Sequence, residues 1–310
     1  MRLVSVYLGR WKIKMKVVGV LKRITMVSLA VVMFLTLLSS FKVGTSFAAS
    51  GYASTLELMK LSHYAYFEFG TARGKLRNVA ESNPGLIALK KEINKLNYPE
   101  KVTSFDAMGD WSIVASINHP YGMDAIAFKN RFKDEVVIAF RGTSDIRDIN
   151  TDIDMTLDNK GRNIQVLPAK GFVQKIAKEF PNDNITLTGH SLGGWLAQNM
   201  VYHIREKRLI PRARLLNAVT FNAPGFWNPN LKGQEDYQAL IAKNDWSKVS
   251  KYSIPLNYVT YGDPVSHIAF NGHIGQTIKI GKQGYHNVHS ILGFYGQKYT
   301  GLGDIKIPKN

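Results

Sequence analysis

The sequence predicts an α/β fold, a mainly parallel central sheet with helices on both of its faces. Three observations carry the prediction. Apolar runs of strand length, such as Glu135–Phe140 and Leu256–Tyr261, alternate along the chain with stretches of helical periodicity. The strongest of these runs has almost no polar face, as a strand covered from two sides requires. The 310 residues, 45% of them hydrophobic, are enough to bury a large core.

The elements follow in chain order. Residues 1–48 hold Arg2, Arg10, Lys12, Lys14, Lys16, Lys22, Arg23 and Lys42 and no acid, and this basic stretch runs into an apolar segment from Ile24 to Leu38. With Ser46-Phe47-Ala48-Ala49 supplying small residues after it, the segment reads as a secretory signal peptide cut after Ala48. An uncleaved membrane anchor is the alternative, because Ile24 to Phe41 approaches the ~20 residues that span a bilayer. Either way the remainder is expected outside the cytoplasmic membrane, secreted or tethered. Residues 49–310 are expected as one domain, with 49–104 a helical N-terminal portion packing on it.

Within that portion, Leu56, Leu58, Met59, Leu61 and Tyr64 recur at helical spacing over Thr55–Tyr66. Pro84–Leu96 repeats the habit with Leu86, Leu89, Ile93 and Leu96. Both are read as packing helices and nothing more. Ser112–Ile117 and Gly122–Phe128 alternate as strands, Lys129-Asn130-Arg131 breaks the run, and Glu135–Phe140 is nearly all apolar. A helix is then expected over Gly171–Phe180, a strand over Asn184–Thr188, a helix over Leu192–Glu206, and strands over Ala218–Phe221, Leu256–Tyr261 and Gln276–Ile280.

Composition removes several function classes. Cysteine is absent, so disulfides, thiolate nucleophiles, iron–sulfur clusters and cysteine-bound zinc are excluded, which leaves serine, carboxylate or histidine chemistry. The formal charge of +17 would ordinarily raise nucleic-acid binding. Eight of the bases, however, sit in residues 1–48, and the other 32 are spread against 23 acids without a basic run or interleaved aromatics. No phosphate track results, and nucleic acid is not expected as a partner. A basic exported protein is instead expected to touch anionic membranes or cell-surface polymers.

The informative centre is Asn184-Ile-Thr-Leu-Thr-Gly-His-Ser-Leu-Gly-Gly194. A strand runs into Gly189-His190-Ser191-Leu192-Gly193 and straight on into an apolar-faced helix through Trp195, Leu196, Met200 and Ile204. A G-x-S-x-G triplet alone is weak in a chain with 26 glycines. Between a strand and a helix it describes a nucleophile elbow, whose tight turn needs glycine two residues before and two after the serine. Ser191 is the expected nucleophile, with the Leu192 N–H and the helix dipole facing a developing oxyanion. A helix-capping serine is the plain alternative, but a cap needs no flanking glycines.

A serine hydroxyl needs a base, and the base an acid, further along the chain. Gly262-Asp263-Pro264-Val265 follows a strand at its carboxyl end, where α/β sheets place functional groups, and Asp263 is the expected acid. The base comes from His267, His273, His286 or His289. The first two follow Asp263 too closely to reach back easily. His289 is the expected base, with His286 kept as the alternative. His190, beside the nucleophile, is assigned structural support.

Together, Phe140-Arg141-Gly142-Thr143, Gly189-His-Ser-Leu-Gly-Gly194, Phe221-Asn-Ala-Pro-Gly225, Gly262-Asp-Pro-Val265 and His289-Ser-Ile resemble the class 3 lipase family of α/β-hydrolases, in particular its bacterial lipase-like members. The resemblance covers about residues 105–295 and implies an α/β-hydrolase fold. It further implies Thr143 as a second oxyanion donor beside Leu192, Arg141 as a brace for that turn, and no metal or organic cofactor. The implied activity is lipase or esterase action on acyl glycerols or related esters; phospholipase action belongs to the same chemistry. A non-catalytic surface or binding protein on the same fold is the alternative.

Ser144–Met155 follows the oxyanion turn, where the resemblance implies a mobile segment over the site. Its Asp145, Asp148 and Asp152 lack the glycine turn and terminal glutamate of a calcium loop. They are read as the solvated face of an amphipathic lid helix with Ile146, Ile149 and Ile153 inward. Phe226 and Trp227 are candidates for lining an acyl pocket, although such aromatic pairs commonly only pack.

Overall fold

The computed structural model describes residues 52–70, 72–76, 83–98, 103, 105, 108–143, 164–211, 214–226, 255–266, 272–281 and 287–295. The expected signal segment, the Ser144–Met155 lid, Trp227, His267 and His286 lie outside the described residues. Among the described residues no helix is long and apolar enough to cross a membrane, and no group of three or more His, Cys, Asp or Glu side chains could hold a metal ion.

One eight-stranded sheet runs in chain order: β1 (Gly74–Lys75), β2 (Trp111–Asn118), β3 (Asp124–Asn130), β4 (Glu135–Phe140), β5 (Asn184–His190), β6 (Leu215–Phe221), β7 (Leu256–Thr260) and β8 (Gln276–Ile280). β1 to β4 are antiparallel neighbours and β4 to β8 parallel ones. The sheet is therefore mixed, with the parallel part the larger, and connection length explains the division. β2–β3 and β3–β4 are joined by short turns, the first through Gly122 at φ +76°, and short turns force reversal. β4–β5 and β5–β6 are joined through helices, which carry the chain back to the starting edge and impose parallel pairing.

Among the described residues four α-helices cover the sheet: α1 (Thr55–Tyr64), α2 (Pro84–Ile93), α3 (Val166–Glu179) and α4 (Leu192–Arg205). β4 is buried throughout, and its side chains divide by parity. Val136, Ile138 and Phe140 join the core under α3 and α4, whereas Val137 and Ala139 join the core under α1 and α2. Most expected elements lie within a few residues of their sequence bounds. The largest difference is α3, which begins at Val166 rather than Gly171. Pro168 falls in its first turn, where no backbone donor is needed, and therefore does not delay the start.

α1 is set by a capping box, with the Ser54 side chain accepting from the Glu57 N–H and Glu57 reaching back to the Ser54 N–H. Its Ser62 Oγ lies 2.7 Å from Thr188 Oγ1 on β5. This contact lays the end of α1 against the carboxyl end of β5, so the element read as mere packing delivers His63 and Tyr66 to the site.

At the far end of β4, Glu135 is fully buried, accepting from the Ala53 N–H and, at 2.6 Å, from Thr186 Oγ1. Burial pushes its carboxyl up to about 7, only partly offset by those bonds and by Lys133. The folded chain thus holds this proton more tightly than the unfolded chain does. The corresponding stability is present below the ordinary glutamate value and is lost as pH rises to about 7, a difference of about 3 kcal/mol. His190, His203 and His273, whose pKa values burial lowers, act in the opposite sense as pH falls below 6.5. Comparison of Glu135→Gln with the parent isolates the glutamate: the variant should gain several degrees in Tm relative to the parent at pH 8 and little at pH 4.5. A Tm difference independent of pH would refute this assignment.

Candidate active site

The site is assembled at the carboxyl ends of β4, β5, β6 and β7, and each strand end contributes a distinct part. β5 ends at His190, and Ser191 then adopts φ 57° and ψ −133°, outside the regions a side-chain-bearing residue ordinarily occupies. Its carbonyl receives the N–H groups of Gly194 and Trp195, which starts α4 immediately. Its own N–H donates to Phe221 O on β6 at 3.0 Å. Although Ser191 occupies the capping position, its hydroxyl makes no cap hydrogen bond. Oγ is buried and has no partner among the described residues. The capping explanation therefore fails on geometry.

Close backbone approach explains the flanking glycines. A Cβ on Gly189 would lie 2.4 Å from Gly193 C, and one on Gly193 would lie 2.2 Å from Phe140 O. Both obstacles are backbone, which cannot rotate aside. Gly193→Ala should therefore displace the elbow from β4 and lower stability by at least ~1–3 kcal/mol, measurable by denaturant unfolding. An unfolding midpoint unchanged from the parent would contradict that packing.

β7 leads through Thr260 into Asp263, whose side chain is fully buried. Its Oδ1 accepts from His289 Nδ1 at 2.9 Å and from the Val265 N–H at 3.3 Å, and Oδ2 accepts the Ser266 N–H at 2.9 Å. A carboxylate only accepts, so Nδ1 carries the hydrogen, and in the neutral ring Nε2 is left with its lone pair. His289 Nε2 is buried, again with no partner among the described residues. An orphaned hydroxyl and an orphaned imidazole nitrogen are complementary groups.

Two side chains tie the His289 loop to the elbow. His190 Nε2 lies 2.6 Å from His289 O, and Asn222 Nδ2 donates to Val288 O at 3.0 Å and His289 O at 3.3 Å. Asn222 follows Phe221 and has φ 45°. It also accepts the Thr260 N–H at 2.7 Å, so it joins the ends of β6 and β7 to the loop bearing the imidazole. Of the other histidines, His273 is buried near the Ser266 backbone, with burial pushing its pKa down to about 4.

The third part is the turn after β4. Arg141 Nη1 pairs with Asp124 Oδ2 at 3.1 Å while its N–H donates to Asp124 O at 2.9 Å, so the turn is braced from β3. Burial raises the Asp124 pKa, and Arg141 offsets part of that rise. Thr143, together with Arg141, Tyr66, His190, His289 and Leu292, lines a cavity of about 310 Å³. Leu192 is the first residue of α4, where a backbone N–H has no acceptor within the helix. Phe226 is fully buried against Tyr202, with ring centroids 5.6 Å apart, and belongs to the core under α3 and α4. For Phe226 the packing alternative holds.

Residues 114–298 match the sequence profile of the phospholipase-like family described as the Tle-like phospholipase domain. The chain belongs to that family. Its members are lipase- or phospholipase-like hydrolases, in agreement with the resemblance read from the motifs. No curated protein sequence matches this phospholipase-like chain. Among solved structures it is similar to the Rhizomucor miehei lipase propeptide complex, at 23% identity over 56% of this chain and 58% of that one, with a TM-score of 0.39. That match thus spans less than two thirds of the Rhizomucor chain. It is also similar to the Lip2 lipase from Yarrowia lipolytica (15% identity, 71% and 77% covered, TM-score 0.43). A third is the lipase from Rhizopus microsporus var. chinensis (15% identity, 68% and 78% covered, TM-score 0.41).

Tyr66, Asn222 and the contacts of His190 are not legible in the sequence of the phospholipase-like chain. His63 at the end of α1 and Tyr66 just beyond it are the available signal for the α1 contribution.

Proposed function

We propose that the phospholipase-like chain is an exported serine ester hydrolase that cleaves acyl esters of lipids. In this reading residues 1–48 direct export, 49–310 form the hydrolase domain, and the basic charge favours contact with anionic membrane or cell-surface polymer. One observation carries the catalytic assignment: a serine at positive φ, tied through its neighbour to an imidazole whose Nδ1 is held by a buried carboxylate, with the serine Oγ and the imidazole Nε2 both without a partner among the described residues.

The chemistry follows from that arrangement. His289 Nε2 takes the Ser191 proton as Oγ bonds to the ester carbonyl carbon, and the carbonyl electrons move onto oxygen. The N–H groups of Thr143 and Leu192 receive that oxyanion, each contributing on the order of 3 kcal/mol to the barrier reduction. As the intermediate collapses, the C–O bond to the alcohol breaks and the alcohol leaves with the proton from His289. Water, deprotonated by the same Nε2, then cleaves the acyl-enzyme and restores Ser191. Asp263 holds the tautomer and stabilises the imidazolium. No step calls for a metal or organic cofactor.

The family's name makes a phospholipid ester the first substrate to test. The full-length chain, incubated with diacylphospholipid vesicles, triolein emulsion and p-nitrophenyl esters of graded length, should release free fatty acid, with lysophospholipid from the vesicles. Release of the head group or its phosphate without fatty acid would refute acyl ester cleavage, and no turnover of any of these esters would favour the non-catalytic alternative.

A further inference from the structure

We infer that Tyr66 and His190 act as a positioning pair, locking the His289 loop to the nucleophile elbow and to the oxyanion turn; the inference rests on the hydrolase reading above. His190 Nε2 lies 2.6 Å from His289 O, and a carbonyl can only accept, so Nε2 carries a hydrogen. The neutral ring then has a lone pair at Nδ1, and Tyr66 Oη, 2.7 Å away, donates to it. A second oxygen, His190 O, is 3.4 Å from Oη, but the phenol has a single proton and the shorter contact takes it. The same phenol oxygen sits against the oxyanion turn. The Gly142 N–H faces it, and a Cβ on Gly142 would come within 2.4 Å of Oη and 3.0 Å of Ser191 Cβ. One hydrogen-bonded chain thus runs from the turn after β4, through Tyr66 and His190, to the backbone of the base.

The charge states suit this role. Burial, with His289 as a secondary cause, holds His190 well below the ordinary histidine pKa, and burial raises the Tyr66 phenol. His190 therefore stays neutral and Tyr66 keeps its proton. Neutrality matters because the His190 and His289 ring centroids are 4.8 Å apart, and His289 becomes cationic in each half-reaction. A charged neighbour at that distance would oppose proton uptake from Ser191. Neither residue hydrogen-bonds Ser191 Oγ or His289 Nε2. They act by setting where Nε2 of His289 and the oxyanion donors stand, and small displacements there are costly.

The test compares Tyr66→Phe, His190→Gln and His190→Leu in the full-length chain, with competent sites counted by fluorophosphonate titration and ester hydrolysis measured per titrated site. Tyr66→Phe removes one oxygen and should lower kcat by about 10- to 100-fold while KM stays within about twofold. His190→Leu should lose more, and His190→Gln, whose amide can still reach His289 O, should recover part of that loss. Imidazole NMR of the parent should show His190 neutral and protonated at Nε2. Parental kcat per site in Tyr66→Phe overturns the pair, as does equal loss in the two His190 variants or an Nδ1-protonated His190. If the His190 variants do not fold, Tyr66→Phe and the NMR tautomer decide. A Ser191→Ala chain as active as the parent refutes the hydrolase reading itself. An inactive Ser191→Ala chain beside an unaltered Tyr66→Phe chain refutes only the pair.

Discussion

Ser191→Ala should abolish ester hydrolysis, with kcat falling on the order of 10⁶-fold, and should leave the protein as stable as its parent or slightly more so. The first effect follows from the proposed role of Ser191 as nucleophile, because nucleophile and base fail as a unit when either is lost. The second follows from burial. Ser191 Oγ is enclosed without a hydrogen-bond partner among the described residues, so its removal takes away a desolvated polar group and no bond. Alanine tolerates φ 57° no better than serine does, which leaves the backbone strain unchanged. Thermal unfolding beside the ester assay checks both. Activity retained at more than a few per cent, or activity lost together with the folded state, would contradict the argument.

Asp263→Asn should lower kcat on the order of 10⁴-fold through the wrong imidazole tautomer. The hydrogen-bond inventory leaves the amide little choice. Oδ2 receives the Ser266 N–H at 2.9 Å, and an amide nitrogen placed there would set donor against donor. Oδ1 accepts a backbone N–H as well, from Val265, but at 3.3 Å, so the amide oxygen keeps the shorter Ser266 bond, which aims the NH₂ at His289 Nδ1. That nitrogen then accepts instead of donating, the hydrogen moves to Nε2, and the lone pair needed by Ser191 is gone. Asp263→Ala removes the constraint along with the partner, so it should retain more of the correct tautomer than Asp263→Asn although it holds the ring less firmly. Steady-state kinetics with imidazole NMR separates the cases; Asn and parent showing the same tautomer would contradict the derivation.

Local chemistry makes the elbow legible in the sequence. This tight strand-to-helix turn demands glycine on both sides of the serine, and the distances from Gly189 to Gly193 and from Gly193 to Phe140 show the demand is steric. Asp263 and His289 are legible as residue types following the elbow in order, and their 2.9 Å contact joins them. The antiparallel half of the sheet is less visible, because alternating strands such as β2 and β3 do not announce their direction; the short turns between them decide it. Tyr66 and Asn222 are hidden for a different reason. Their roles depend on long-range juxtaposition, Tyr66 with His190 across 124 positions and Asn222 with His289 across 67, and no local period records such contacts.

The central claim, that Ser191 is a hydroxyl activated by His289, is tested most directly by stoichiometric labelling with a fluorophosphonate followed by peptide mass mapping. One equivalent should add to Ser191 in the parent, and His289→Ala should slow that addition by orders of magnitude while the protein stays folded. A label found on another residue, or placed on Ser191 equally fast without the imidazole, would contradict it.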